Sequence, residues 1–324
     1  MRACRSRTRL PSSTTSVWAA LIGNILVVAS KAVAAALTGS AAMLSEAIHS
    51  FVDTVNEILL LYGISRSRVP PDADHPFGHG REVYFWSFVV SLLIFELGAG
   101  ASIWEGVRHI RHPVTIDNPW VSYLVLALAF VFEGSSWIVS LRQFARAKGR
   151  IGFFKAFHLS KDPPAFMTLF EDSVALLGIL VAAAGTFAAT TLNLPIADGI
   201  ASIAIGAMLA LVSVYLARES KSLLLGEQAH PHVRKSIMAI ANARPHILRA
   251  NGLITVQLGP DQIVAMLSVE FADSMTAPEI EKEVVRLESL VCEANLQVVA
   301  LFVKPQTKAT FQEYRSWRMR RHAE

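Results

Sequence analysis

The sequence is poor in charged residues and in cysteine. Charged residues occupy 17% of its 324 positions and hydrophobic residues 52%, whereas soluble domains carry about 25% charged residues. The two cysteines, Cys4 and Cys292, are too few for a disulfide framework or a cysteine-based zinc cluster. The composition is that of a membrane protein to which a soluble portion is attached.

The sequence also lacks the interleaved aromatic and basic residues that are typical of a nucleic-acid surface. Its net charge of +4 is better explained by Lys and Arg residues placed beside apolar segments, as in membrane proteins. We therefore expect membrane lipid, and no nucleic acid, as a partner.

Six apolar segments are long enough to cross a bilayer, which takes about 20 residues. They lie at Val17–Leu37, Ala41–Ile64, Val83–Val107, Trp120–Leu141, Phe166–Thr190 and Ile196–Ala217. Basic residues cluster before the first segment and after the second and fourth, which predicts a cytoplasmic location for both termini. We expect an N-terminal tail at residues 1–15 and an all-α bundle of six transmembrane helices within residues 16–218.

Residues 219–305 follow the pattern of a small soluble domain. The predicted order is helix, strand, strand, helix and strand, at His232–Ala243, Leu253–Leu258, Ile263–Phe271, Thr276–Ala294 and Val298–Val303. This αββαβ order predicts a two-layer α+β domain. The basic segment 306–324 is expected to be a mobile or membrane-surface tail outside the fold.

The second apolar segment carries ionisable side chains on one face. Glu46, His49, Asp53 and Glu57 follow each other at steps of three and four residues, which places them on one side of a helix. A charge at bilayer depth costs roughly 2.5–3.5 kcal/mol, and imidazole with carboxylate at i, i+4 is a metal-ligand pair. We predict that His49 and Asp53 bind a metal ion inside the membrane. The alternative is a buried polar network that only joins helices.

The fifth apolar segment supplies two complementary acids, Glu171 and Asp172. Neighbouring residues on a helix point about 100° apart, so only one of them is expected to face His49 and Asp53. Asp172 is the predicted third ligand, with Glu171, Thr168 or water completing the set. One nitrogen among several oxygens permits zinc and does not exclude iron, cobalt or manganese.

The link between the second and third segments contains the run PPDADHPFGHGRE. Asp72, His75 and His79 fall at i, i+3 and i+7 in this run, with Asp74 beside them. Two histidines and a carboxylate in a loop rich in Gly and Pro could bind a second metal ion near the entrance. The alternative is that the histidines cap or stack within a tight turn.

Several motifs of the sequence are found together in one known family. They are Leu37-Thr38-Gly39-Ser40 before His49-Ser50-Phe51-Val52-Asp53, the loop His75-Pro76-Phe77-Gly78-His79-Gly80-Arg81, Leu169-Phe170-Glu171-Asp172-Ser173, and Pro195-Ile196-Ala197-Asp198. With these motifs the chain resembles the cation diffusion facilitators from about Ser16 to Pro305. That family consists of divalent-metal/proton antiporters with six spans and a cytoplasmic ferredoxin-like domain.

The resemblance implies specific roles for residues of the membrane domain. It places His49, Asp53 and Asp172 on three of the four transport-site ligands, while Thr168 stands where the family usually has a histidine. It matches Asp72, His75 and His79 completely to the peripheral site of the family.

The resemblance also implies a soluble domain that is poor in metal. The positions at which some family members bind metal in that domain are occupied here by Asn251, Ser268, Phe302 and Lys304, and the last three are not credible ligands. The domain is therefore expected to mediate dimerisation through packing alone.

These observations predict a homodimeric, multi-pass transporter of the plasma (inner) membrane. It is expected to export a divalent cation, zinc, in exchange for protons, and to hold no resident cofactor. Iron, manganese or cobalt as cargo, and a membrane metal-binding scaffold that moves no ions, are the alternatives. A membrane metallohydrolase is disfavoured because the sequence contains no HExxH motif, so no enzymatic activity is expected.

Overall fold

The computed structural model describes residues 14–114, 116, 118–148, 152 and 161–321. The chain divides into two compact units, Leu10–Lys221 and a second unit that consists mainly of Ser222–Glu324. Most of the predicted N-terminal tail, including Cys4, lies outside the described residues, as do Arg150 and Lys155 of the basic link after the fourth segment.

The first unit is built from long helices. Their bounds are α1 Thr14–Thr38, α2 Ala41–Ser67, α3 Glu82–Arg111, α4 Pro119–Lys148, α5 Pro163–Thr191 and α6 Ile196–Leu225. Helix α3 contains a π-helical stretch at Ile94–Gly100. The unit is thus all-α, as the sequence predicts.

Among the described residues, four helices are long and apolar enough to cross a membrane. They are Glu82–Arg111, Pro119–Arg146, Phe166–Thr191 and Ile196–Leu225. Helix α1 contributes the apolar segment Asn24–Thr38 within the residues whose side chains are described, and the ionisable stripe lowers the hydropathy of α2. Four of the six predicted spans therefore meet this criterion, and a count of six stays a prediction.

A carboxylate that is distant in the sequence caps α2. The side chain of Ser40 accepts a hydrogen bond from the backbone N–H of Met43, 3.1 Å away. Asp198 accepts hydrogen bonds from the hydroxyl of Ser40 at 2.6 Å and from the backbone N–H groups of Ala41 and Ala42 at 2.5 and 3.2 Å. The position of Asp198 at the start of α6 suggests that it caps its own helix, but it instead satisfies the free N–H groups of α2.

Small residues bring α3 and α6 into close contact. A Cβ atom at Gly206 would lie 2.7 Å from Cγ1 of Ile103 and 3.0 Å from the carbonyl oxygen of Ala99. Such a distance leaves no room for a side chain, so glycine is required for this approach of the two helices.

The second unit is a three-stranded sheet with helices. Its elements are α7 Pro231–Asn242, β1 Ile247–Gly259, β2 Gln262–Phe271, α8 Ala277–Ala294, β3 Val298–Pro305 and α9 Lys308–Arg321. The strand order is β1-β2-β3, with β1 antiparallel to β2 and β2 parallel to β3. Ile237, Leu287 and Val298 are buried in its own apolar core. The predicted αββαβ order is present, whereas the ferredoxin-like arrangement stays a prediction.

The tail contains a helix that the sequence analysis did not predict. Helix α9 occupies most of residues 306–324, and the ring of Phe311 lies close to Gly252 of β1. Tyr314 stacks with Trp317 and lies under the ammonium group of Lys304, 4.6 Å from the ring centroid. Aromatic residues at steps of three share one face of this helix, and the arginines between them partly hide this pattern in the sequence.

We predict that the segment Ser222–Glu324 folds alone without metal. Its core is apolar, so circular dichroism should record one cooperative thermal transition that a chelator does not shift. Leu287→Ala should lower the free energy of unfolding by about 2–5 kcal/mol, because Leu287 is fully buried. Val285→Ala on the same helix should change it by less than about 0.5 kcal/mol, because that side chain is exposed. Unfolding by the chelator would contradict the prediction.

Candidate metal sites

The ionisable stripe of α2 contains a buried histidine with no hydrogen-bond partner. His49 is 1% exposed, and neither of its ring nitrogens is hydrogen-bonded in the described structure. Its Nε2 lies 3.5 Å from Oδ2 of Asp53, whose Oδ1 is also buried without a partner. Leaving a buried polar group unpaired costs about 1–3 kcal/mol, so these atoms are suited to bind a ligand.

The neighbouring Glu46 belongs to an ion-pair network. The ammonium group of Lys31 on α1 lies 3.1 Å from Oε2 of Glu46 and 3.7 Å from Oε1 of Glu133 on α4. It also donates a hydrogen bond to the hydroxyl of Ser50 at 2.7 Å. Lys31 and Glu46 are completely buried. For Glu46, the alternative interpretation of the stripe therefore applies, because this residue belongs to a polar network that joins helices.

The last residue of the stripe is also occupied. Asn24 of α1 donates a hydrogen bond from Nδ2 to Oε2 of Glu57 at 2.7 Å. The stripe thus divides into Glu46 and Glu57, which have hydrogen-bond partners on α1, and the pair His49 and Asp53 between them, which has none there among the described residues.

The acids of α5 lie near this pair but are not gathered around it. The carboxylate of Asp53 interacts electrostatically with Glu133, Glu171 and Asp172. Oε1 of Glu171 is buried without a hydrogen-bond partner. Yet among the described residues, the donor atoms of His49, Asp53 and Asp172 do not all lie within 4.8 Å of one another.

Two serines of α4 hold Asp172 in place. The hydroxyls of Ser140 and Ser136 donate hydrogen bonds to Oδ2 of Asp172 at 3.1 and 3.3 Å. These partners of Asp172 are not among the predicted site residues. Their spacing is the signal that could have identified them, because serines four residues apart on an apolar helix share one face.

Thr168 does not contribute to the pair on α2 in this structure. Its side chain is exposed, and its hydroxyl donates a hydrogen bond to the carbonyl of Pro164 in the same helix at 3.1 Å. Its role as a ligand rests only on its position one turn before Asp172.

The loop between α2 and α3 brings its three predicted ligands together. One donor atom each from Asp72, His75 and His79 lies within 4.8 Å of the others. Nδ1 of His75 is 3.2 Å from Oδ1 of Asp72, and Nε2 of His79 is 3.5 Å from Oδ2. Asp74 is exposed and does not belong to this group.

The turn in this loop positions the three side chains. Asp72 accepts a hydrogen bond from the backbone N–H of His75 at 2.6 Å, and Gly78 has a φ of +81° that favours glycine. The two histidine rings lie 4.2 Å apart. The ring contact of the predicted alternative is thus also present and helps to assemble the group, while the side chain that accepts the backbone N–H in this turn is Asp72.

Hydrogen bonding keeps the loop carboxylate ionised. The N–H of His75 is the main cause that lowers the pKa of Asp72, which is assisted by the side chains of His75 and His79. Metal ligands must be deprotonated, so Asp72 is ready to bind at neutral pH. Two imidazoles and one carboxylate suit zinc and other first-row divalent ions, with positions left for water or a further ligand.

Comparison with known proteins gives the same overall picture. Residues 17–225 match the profile of the cation efflux transmembrane domain. The mitochondrial proton-coupled zinc antiporter SLC30A9 of Homo sapiens is 35% identical over 237 residues, which are 72% of this chain and 42% of that protein. Metal tolerance protein C4 of Arabidopsis thaliana is 32% identical over 215 residues, or 66% of this chain and 46% of that protein.

A bacterial relative is more distant but comparable in length. The manganese efflux system protein MneP of Bacillus subtilis is 27% identical over 222 residues, which are 68% of this chain and 71% of that protein. By contrast, the chain aligns with less than half of the length of the human and plant relatives.

The profile of the cation efflux transmembrane domain covers more than half of the sequence. The chain therefore belongs to the cation diffusion facilitator family, a family of membrane transporters rather than enzymes.

Proposed function

We propose that the protein exports a divalent cation, zinc, in exchange for protons by alternating access. The observation that carries this proposal is the pair His49 and Asp53 in a unit of the cation efflux type. Both ring nitrogens of the buried His49, and Oδ1 of the half-buried Asp53, have no hydrogen-bond partner in the described structure. The names of the relatives support zinc or manganese as cargo, and iron and cobalt are compatible with the same ligand types.

The two groups of candidate ligands have different roles in this proposal. His49, Asp53 and Asp172 form the transport site, with Glu171, Thr168 or water as the further ligand. Movement of α4 against α5 would release Asp172 from Ser136 and Ser140, because these hydrogen bonds join the two helices. The loop group Asp72, His75 and His79, of which Asp72 and His75 are exposed, captures ions before they enter.

The topology and assembly are also part of the proposal. Six spans would place both termini on the side that carries most Lys and Arg residues, which is the cytoplasmic side in a plasma (inner) membrane. The second unit would hold a homodimer together by packing, since Ser268, Phe302 and Lys304 are not metal ligands. Sedimentation of the segment Ser222–Glu324 as a monomer in metal-free buffer would contradict this assembly.

Flux into sealed proteoliposomes tests the function. We expect zinc transport to follow an imposed proton gradient and to slow when the cation-donating side is acidified, because protons compete with the metal for its ligands. His49→Asp replaces the imidazole by a carboxylate, which can still bind a metal ion but binds protons differently, so it should keep some transport and alter its pH profile. Binding without flux would favour the scaffold alternative. Flux that ignores the proton gradient would contradict antiport.

Metal stoichiometry separates the two candidate sites. We predict that the wild type binds one zinc ion at each site, and that Asp53→Ala and Asp172→Ala each bind one ion fewer. Transport by these two variants should fall by at least about tenfold, because even indirect partners of metal ligands affect metal affinity by 10–100-fold. His79→Ala should remove the loop ion and only slow transport.

Matched controls accompany these variants. Glu57→Gln keeps an acceptor for Asn24 on the same helix and should retain the inner ion. Asp74→Ala lies in the same loop outside the donor group and should retain the loop ion. Wild-type stoichiometry in Asp53→Ala, at normal protein levels, would remove Asp53 from the site.

Thr168 offers a test of metal selectivity. Thr168→His places an imidazole one turn before Asp172, and a site with two histidines and two carboxylates favours zinc. We expect the ratio of zinc to manganese flux to rise severalfold, whereas Thr168→Ala, which supplies no imidazole, should not raise it. Equal ratios in the wild type and Thr168→His would show that position 168 does not face the transported ion.

A further inference from the structure

The second unit contains a large cavity that plays no part in the proposed transport. Its volume is about 1060 Å³, and residues of α7, of all three strands and of α9 line it. The unexpected helix α9 forms one wall with Phe311, Tyr314 and Arg315. The cavity therefore lies within one unit and depends on the helical tail.

The cavity lining carries positive charge without compensation. Arg234, Lys235, Lys304 and Arg315 line it, and no Asp or Glu is among the lining residues. None of these four cations forms an ion pair within the described part of the chain, whereas Arg244 in the same unit pairs with Glu283. A concave surface of one sign attracts ligands of the opposite sign.

Arg234 is the most constrained of these cations. Its Nε is buried and donates no hydrogen bond in the described structure, which is costly for a charged group. Arg234 and Lys235 also lie within the first five residues of α7, where the helix dipole disfavours cations and favours anions. Both observations are explained if an anion is bound at this position.

The same cavity offers apolar and aromatic surface. Met266 and Phe302 are each 40% exposed, and Ile254 and Tyr314 are similarly accessible, although all four line the cavity. A small inorganic anion would leave most of this surface uncovered. A ligand that also has an apolar body would bury it, with about 25 cal/mol gained per Å².

The polar residues of the lining do not favour a cation there. Asn251 donates a hydrogen bond to the carbonyl of Gln306 at 2.8 Å, and Ser268 donates one to the side chain of Gln306 at 3.0 Å. Oδ1 of Asn251 is buried and accepts no hydrogen bond in the described structure, so it could accept one from a ligand. A metal ion at these positions would be repelled by the cations beside it.

We propose that this cavity binds an amphipathic organic anion. Arg234, with Lys235 and Arg315, would hold a phosphate, sulfonate or carboxylate group, and Phe302 and Tyr314 would contact its aromatic or aliphatic body. The proposal concerns the second unit alone, so it holds or fails independently of metal transport.

Equilibrium dialysis of the full-length protein in lipid nanodiscs tests the proposal, with 1-naphthyl phosphate as the probe and empty nanodiscs as the blank. We expect saturable binding that weakens with added salt, because charge contributes to it. Inorganic phosphate and uncharged 1-naphthol should each bind at least about tenfold more weakly, since each lacks one half of the ligand.

Charge-neutral variants locate the site. Arg234→Gln should weaken binding of 1-naphthyl phosphate about tenfold or more, the effect of losing one hydrogen bond to a charged group. Arg286→Gln removes the same charge from the exposed side of α8, outside the cavity, and should bind as the wild type does. Absence of saturable binding, equal losses in the two variants, or tighter binding of 1-naphthol than of its phosphate would overturn the proposal.

Discussion

The membrane unit depends on the burial of one ammonium group. Lys31 has no access to solvent, and its charge is balanced by Glu46 on α2 and Glu133 on α4. Removing one partner of a buried pair leaves an uncompensated charge, which typically costs 3–5 kcal/mol. Helices α1, α2 and α4 must therefore stay close together, because separating them would expose the ammonium group to an apolar environment.

This network determines which groups remain available to a transported ion. Because Lys31 neutralises Glu46 and Asn24 engages Glu57, the only members of the α2 stripe without a partner on α1 in the described structure are His49 and Asp53. Lys31 is also near enough to Asp53 to attract its carboxylate. The Lys31 ammonium group thus lies close to the acids of the proposed transport site, and a metal ion entering that site would have to overcome its repulsion.

Local patterns in the sequence predicted much of the structure. The stripe on α2, the donor group of the loop and the αββαβ order all follow from periodicity or short spacing, which backbone geometry fixes. By contrast, Asp198 binds Ala41, which is 157 residues away in the sequence, and Asp172 binds Ser140, which is 32 residues away. Such contacts depend on which helix faces which, and a single sequence does not contain that information. Helix α9 was missed for a different reason, since its basic residues obscured an aromatic face that packs on β1.

The bond between Asp198 and the first turn of α2 has a mechanical consequence. It fixes the N-terminal end of α2 at Ala41, whereas the loop ligands follow the other end, which packs against α3 through Tyr62 and Arg66. At 1.5 Å per residue the 27-residue helix is about 40 Å long, so a tilt of about 6° would move that end by roughly 4 Å. Asp53, near the middle of the helix, would move by about half as much. A small rotation about this fixed end would therefore displace the loop further than Asp53.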